Sequence, residues 1–552
     1  MSDTRTLLVE IGTEELPPKA LKTLSEALGD HLLEALKEAR LADDGDARLY
    51  ATPRRLAVKV ANVRVGQPDQ EVERKGPAVA AAFDADGKPT KAAEGFARSC
   101  GVSVDELGRV ETPKGECLAY QTTVPGKPAA ELIPELLDAA VKKLPIPKRM
   151  RWSDLDAEFV RPVHWLVLLH GSDVIDAEML SVKSGRETYG HRFHAPGALT
   201  LASADDYPAP LGEKGFVTAD FAERRNKIAA EARELARGAD GQIVVEESLL
   251  DEVTSLVEWP VPLLGDFNPD YLDVPQEALI SYMQDHQKYF PVVDTDGKLM
   301  PRFITVANIE SKDPTVVVAG NERVLNARLS DARFFWDTDR KQTLESRVEK
   351  LDTILFHKKL GSVLDKVKRV QSIAAAVAQW IGADVDNTRR AALLAKADLV
   401  SDMVGEFPEL QGIMGRYYAV NDGEADEVAQ AIEEQYWPRF AGDNLPESGA
   451  GQALAIADKI DSLAGIFSTG ELPTGTKDPY GLRRAALGLL RIIIEKRLPI
   501  DLRELLRKAG RPFENADSDA VLDYVLERLP AYYADEGLDT DTVNAVLSLK
   551  PG

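Results

Sequence analysis

Three pieces, SYMQDHQKYFPVV (281–293), LMPRFITVANI (299–309) and GNERVLNARLSDARFFWD (320–337), make up the stretch around which the chain is organised. Asp296-Gly297, between the first two, predicts a hairpin turn. The third predicts a helix. At ~100° per residue, Arg323, Asn326, Ser330 and Arg333 fall in one arc roughly 80° wide. Val324, Leu325, Ala327, Leu329, Ala332, Phe334, Phe335 and Trp336 occupy most of the remainder. A helix apolar on most sides is expected to be buried, and its polar stripe then needs partners, because unpaired buried charge costs several kcal/mol. Two kinds of partner fit: acids of the same molecule (Asp331, Asp337 or Glu322) or an anion from outside.

Composition narrows the classes. The chain has 552 residues, 44% of them hydrophobic, enough for about three to five domains with their own cores. Against 67 Lys and Arg stand 91 Asp and Glu, a formal net charge of −24. That balance argues against bulk electrostatic binding of nucleic acid and leaves room for a local basic face. Cys100 and Cys117 are too few for a disulfide framework and lack metal-ligand spacing; they read as reduced thiols of a cytosolic protein. The N-terminus carries no signal-peptide pattern. The apolar runs, such as WLVLL at 165–169, are far too short to span a bilayer.

Along the chain, Thr6–Ile11 predicts a strand, and Pro17-Pro18 opens a helix with Leu21, Leu24, Leu28, Leu32 and Leu36 on one face. Residues 48–65 alternate as strand and break at Pro53; Arg54 and Arg55 at that break read as an edge-strand charge pair. A small-residue helix is expected over 78–100, a strand near 119–124 and a helix over 129–144. LPIPKRMRW follows. Lys142, Lys143, Lys148, Arg149 and Arg151 put five cations in ten residues, beside Trp152. That composition suits phosphate contacts and base stacking, or equally a solvated loop.

Residues 159–201 read as strands. They hold His164, His170, His191 and His194, four of the seven histidines, in no metal-binding pattern, so hydrogen-bonding structural roles are expected. Helices over 218–237 and 246–258 and a Pro/Gly-rich connection at 260–275 lead into the central stretch. Beyond about 341 strand signals vanish, and helices are expected over 346–380, 387–404, 425–435, 452–467 and 479–497, then an acidic helical tail. Lys477, Arg483 and Arg484 cluster where the last of these helices starts, a position suited to an anion or to capping and ion pairing by Asp478. No P-loop, GxGxxG or GxSxG motif is present.

The central stretch, together with IGTEELPP (11–18), TPRRLAV (52–58), PKRMRW (147–152), FVRPVHWLV (159–167), GHRFHAPG (190–197), LLDEVTSLVEWPVPLLGDF (249–267), KADLVSDMVGEFPELQGIMGRYYA (396–419), LAIADKIDSLAGIF (454–467) and PTGTKDPYGLRRAALGLLRI (473–492), resembles the β subunits of bacterial tetrameric glycyl-tRNA synthetases, nearly end to end. The resemblance implies an α2β2 cytoplasmic assembly in which the α subunit uses ATP and Mg²⁺ to form glycyl adenylate, while the β chain binds no cofactor and no membrane and positions tRNA(Gly). Tight contacts far from the reacting atoms would hold the terminal ribose against the adenylate. Lys148, Arg149, Arg151, Arg323, Arg333, Lys288, Arg483 and Arg484 are the expected phosphate contacts, with Trp152 and Tyr289 as stacking platforms.

The helical half also resembles the HD-domain superfamily of metal-dependent phosphohydrolases, in degenerate form. His357 and Asp458 could stand for the first and last ligands, but 392–398 reads ALLAKAD, with Lys396 and Asp398 and no histidine. A hydrolytic centre on His357, Asp398 and Asp458 is one alternative function, and a scaffold that docks α without touching RNA is another. The expected architecture is α+β and multidomain: an N-terminal α/β segment (1–65), a mixed insert (66–150), a mixed α/β central region resembling the tRNA-interacting modules of the phenylalanyl enzyme's large subunit (151–340), an all-α HD-like domain (341–500) and a helical tail (501–552). The family's helical anticodon-binding domain is expected to be missing.

Overall fold

The computed structural model describes residues 3–43, 46–84, 87–113, 115–475 and 477–548. The chain is mixed α and β and forms two compact units. One comprises Met1–Gly265, Lys288–Thr295 and Phe303–Ala319; the other comprises Asp266–Gln287, Asp296–Arg302 and Gly320–Gly552.

The first unit is built on a sheet whose spatial order is Glu178–Met179, Val182–Gly185, Val163–His170, β1 (Thr4–Thr13), β3 (Arg55–Arg64) and β2 (Ala47–Thr52). β1 is central and antiparallel to both neighbours, with Val9 opposite Val58 on one side and Leu168 on the other. Its run LLVEI is buried on both faces because both faces are covered. Leu7, Val9 and Ile11 join a core under α1 (Pro18–Glu38) and the helix Ala129–Lys142. Leu8 joins Trp165, Val167, Leu169, Tyr207 and Val217 on the other face. The leucines at 21, 24, 28, 32 and 36 are all fully buried, as their spacing predicts. β2 and β3 form a tight hairpin whose turn is Pro53-Arg54, at the predicted break.

A separate three-stranded antiparallel sheet (Gln70–Ala78, Gly115–Val124, Gly108–Thr112 in spatial order) packs on a small core of Ala82, Ala93 and Leu118. The single helix expected over 78–100 is two helices here, Val79–Ala82 and Lys91–Cys100, because Gly87 takes a positive φ and Phe83 bridges to Pro89 between them. The connection expected at 260–275 is instead a strand, Val261–Asp266, and a 3₁₀ turn, Pro269–Asp273. The strand lies at a sheet edge, where Pro262 removes no needed ladder bond.

From Gly320 on, the described residues of the second unit are mostly helical, with a two-stranded hairpin, Leu355–His357 with Gly361–Ser362. The helix expected over 346–380 therefore starts only at Val363, capped reciprocally by Ser362 and Asp365, and runs to Ile381. Gly361, at φ +86°, supplies the turn that ends the hairpin. The helix expected over 387–404 is Val385–Leu394, a 3₁₀ turn and Asp402–Glu406, divided where Ser401 caps the last piece. At the centre lies Gly449–Thr469, whose alanines and glycines let neighbouring helices close on nearly all its sides. Four helices, Leu502–Gly510 to Thr540–Leu547, make up the tail. Among the described residues no helix is long and apolar enough to cross a membrane.

The helix of the central stretch spans Pro314–Asp339, and it is not buried on most sides as expected. Leu325, Leu329, Ala332 and Trp336 are buried, whereas Val324 and Phe334 are 47% and 63% exposed. The spacings of four, three and four residues make one narrow stripe, so Val324, Ala327 and Phe334 are left exposed.

Candidate nucleic-acid interface

The basic loop after the helix Ala129–Lys142 folds as a small hairpin. Met150 pairs with Phe159 and Arg151 with Glu158, while Pro145 and Pro147 stiffen the approach. Lys143, Lys148, Arg149 and Arg151 are exposed. Lys142 pairs with Asp138 at 2.6 Å. Arg149 donates Nη2 to the Lys142 carbonyl at 3.2 Å, which braces the loop. Arg151 and Glu158 lie 3.8 Å apart, both more than half exposed, a geometry of little energetic weight. Lys143 and Lys148 have no ion-pair partner among the described residues. Trp152 is partly buried and packs on the core beneath the hairpin. It anchors the hairpin and does not stand free as a stacking platform.

The other expected contacts separate into different surroundings. Tyr289 is 5% exposed and stacks on Phe303 with centroids 4.8 Å apart, so it belongs to the core and offers no face to a base. Lys288 pairs with Glu252 at 3.1 Å. Arg333 takes the internal alternative: it meets Asp337 at 3.0 Å and Asp273 at 3.3 Å and donates to the Asp270 carbonyl. Arg323 is exposed. At the start of the helix Leu482–Glu495, Asp478 accepts from the backbone N–H of Leu482 and Arg483, each at 2.9 Å. The first N–H groups are thereby occupied, and Arg483 donates to the Gly475 carbonyl. Capping, not an anion, accounts for that terminus. Arg484 is exposed beside it.

His357, Asp398 and Asp458 have separate partners. His357 Nε2 lies 3.2 Å from Glu471. Asp398 is fully buried and accepts from the N–H of Gly412 at 2.6 Å and Gly415 at 3.1 Å; burial raises its pKa to about 6. Asp458 is ringed by ammonium groups, Lys366 at 3.3 Å and Lys396 at 3.4 Å. Burial would raise its pKa, but the charges of Lys366, Lys396 and Lys459 hold it well below the usual carboxylate range. A divalent ion could reach Asp458 only by displacing lysines.

The motifs at 11–18, 52–58, 159–167, 190–197 and 249–267 converge in the first unit on one buried ionic network. Arg55 is not part of an edge pair. It is 0% exposed on the interior strand β3. Its guanidinium lies 3.4 Å from both Glu10 and Glu258 and donates to Thr52 Oγ1, Thr188 Oγ1 and the Tyr189 carbonyl. Burial alone would lower its pKa; the two carboxylates overcome that and raise it. Trp165 Nε1 donates to Glu10 at 2.6 Å, and a Cβ at residue 12 would stand 1.8 Å from the Trp165 ring, so only glycine fits there.

Toward the surface, Arg54 lies 3.7 Å from Glu258, and Arg192 pairs with Glu14 at 2.7 Å and Glu15 at 3.1 Å. His191 Nδ1 accepts from the N–H of Phe193 and His194 while Nε2 meets the Asn308 carbonyl at 2.7 Å. The loop so fixed presents Phe193, 75% exposed. His164 and His170 likewise hydrogen-bond, to Glu14 and to the Val63 carbonyl. Sequence patterns alone do not reveal these contacts, because the partners lie far apart in the chain.

A family model described as "Glycyl-tRNA synthetase beta subunit" matches residues 7–548. Proteins described as glycine–tRNA ligase beta subunit from Marinobacter nauticus and Citrobacter koseri are each 52% identical to the chain, over 99% of it and 80% of their own length.

Proposed function

The chain belongs to the glycyl-tRNA synthetase beta subunit family, and we propose on that footing that it acts as the beta subunit of a glycine–tRNA ligase, binding tRNA(Gly) and holding its acceptor end for transfer of glycine from an adenylate formed on a separate α subunit. The overall reaction joins ATP, glycine and tRNA(Gly) to give glycyl-tRNA(Gly), AMP and pyrophosphate, with ATP and Mg²⁺ handled by α, in a cytoplasmic α2β2 assembly. The helical unit, in this reading, is a degenerate HD-like scaffold.

The observation that carries the RNA part is the hairpin at 148–152. In a chain of net charge −24 it gathers exposed cations on a braced backbone, a local basic face of the kind that contacts phosphates without reading sequence. Arg323 and Arg484, both exposed, are further contacts of the same kind. The test is an anisotropy titration of labelled tRNA(Gly) with the chain and its α partner at several salt concentrations. Log affinity falling linearly with log salt supports phosphate contact; a flat line, or no binding, counts against it.

A further inference from the structure

A cleft of about 650 Å³ opens in the first unit at the C-terminal end of the helix Phe221–Gly238. Its walls include Arg233 and Arg237 from the helix, Asp240, Gln242 and Ile243 just beyond it, and Thr295. The size suits a small ligand, and the lining mixes two cations, hydrogen-bonding groups and one apolar wall.

The two arginines are the telling feature. The helix carries five cations. Arg224 is buried and donates to the Ala51, Thr218 and Thr254 carbonyls. Arg225 pairs with Glu247 and Asp251, and Lys227 with Glu231. Arg233 and Arg237 alone of the five have no hydrogen bond or ion pair from their side chains among the described residues. They stand four residues apart, on one helix face, where like charges repel. Glu234 adjoins them in sequence yet is not part of the cleft wall. The helix dipole accounts for a cation in the last turn, Arg237; it does not account for a second one a turn earlier facing the same cleft.

We propose that this cleft binds a nucleoside phosphate, with the phosphate between Arg233 and Arg237. Two guanidinium forks match phosphate oxygens in a way a single charge does not. Thr295 and Gln242 have donors for the remaining oxygens, Asp240 can accept from a ribose hydroxyl or a base amino group, and Ile243 gives the sugar or base an apolar surface. The nucleoside phosphate is presented as one unit of an RNA chain or as a free nucleotide. The RNA form rests on the function proposed above; the free nucleotide form does not.

The test uses the full chain and its Arg233→Gln/Arg237→Gln variant, with two probes, labelled tRNA(Gly) and AMP. Both arginines are exposed, so the melting temperature is expected to stay unchanged; if it does not, an Arg233→Lys/Arg237→Lys variant, which keeps the charge and so the salt slope, is read by its loss of affinity alone. A loss of tenfold or more in tRNA affinity, with the salt slope reduced by about 1.5, supports the site as an RNA contact. The same loss confined to AMP supports a free-nucleotide site. Unchanged binding of both probes overturns the proposal, as does failure of the parent chain to bind either. Failure of tRNA binding alone counts against the proposed function, and the AMP measurement then decides the cleft.

Discussion

Arg55 and Glu258, 203 residues apart in the chain, meet at 3.4 Å with no exposure of the arginine. Glu10, 45 residues before Arg55, closes the other side of the same guanidinium. This contact joins the N-terminal strands to the segment that precedes the strand Val261–Asp266. Removing the cation leaves two buried carboxylates without the charge they share. Arg55→Met is therefore expected to lower the free energy of unfolding by about 3–5 kcal/mol, read from urea denaturation. A loss below about 1 kcal/mol would contradict a tightly coupled network.

Arg149→Ala with Arg151→Ala removes two exposed cations whose internal bonds are weak. The variant is expected to keep its melting temperature, to bind tRNA(Gly) more weakly, and to lose about 1.5 from the slope of log affinity against log salt. Adenylate formation by α should not change. An unaltered slope would remove the hairpin from the interface.

Tyr289 supplies the opposite case. Because it stacks on Phe303 in the core, Tyr289→Ala is expected to destabilise the fold by about 3 kcal/mol while leaving the salt slope of tRNA binding untouched. A variant that melts normally but has lost tRNA affinity would restore Tyr289 as a surface contact.

Asp398 gives a pH signature. Burial moves its carboxyl from the ordinary 3.8 up to about 6. Between those values the folded protein holds a proton that the unfolded chain has released, so this group makes the fold less stable as pH rises through that window, by about 3 kcal/mol at most. Asparagine can still accept from Gly412 and Gly415. Asp398→Asn is expected to gain stability relative to the parent above pH 6, the difference closing toward pH 4. A difference that does not vary with pH would contradict the shift.

Local patterns were legible in the sequence where one element decides the outcome. The five leucines of α1, the break at Pro53 and the turn at Asp296-Gly297 follow from spacing and backbone chemistry; Gly297 does take a positive φ. What the sequence concealed depends on distant partners. Arg55 reads as a surface cation until Glu10 and Glu258 come together around it. Tyr289, beside Lys288, reads as an RNA platform until Phe303 covers it. Apolar periodicity runs through 346–380 and hides the hairpin that Gly361 turns. Lys366 and Lys396 reach Asp458 from another helix and from a turn, far from it in the chain, so their convergence has no sequence spacing to betray it.

The central claim is that this chain positions tRNA while the adenylate is made on another subunit. The most direct test is glycylation of tRNA(Gly) by the purified chain, alone and mixed with α, in the presence of ATP and glycine. The account predicts product only in the mixture, with adenylate formed by α whether or not this chain is present. Glycyl-tRNA made by this chain alone would contradict it.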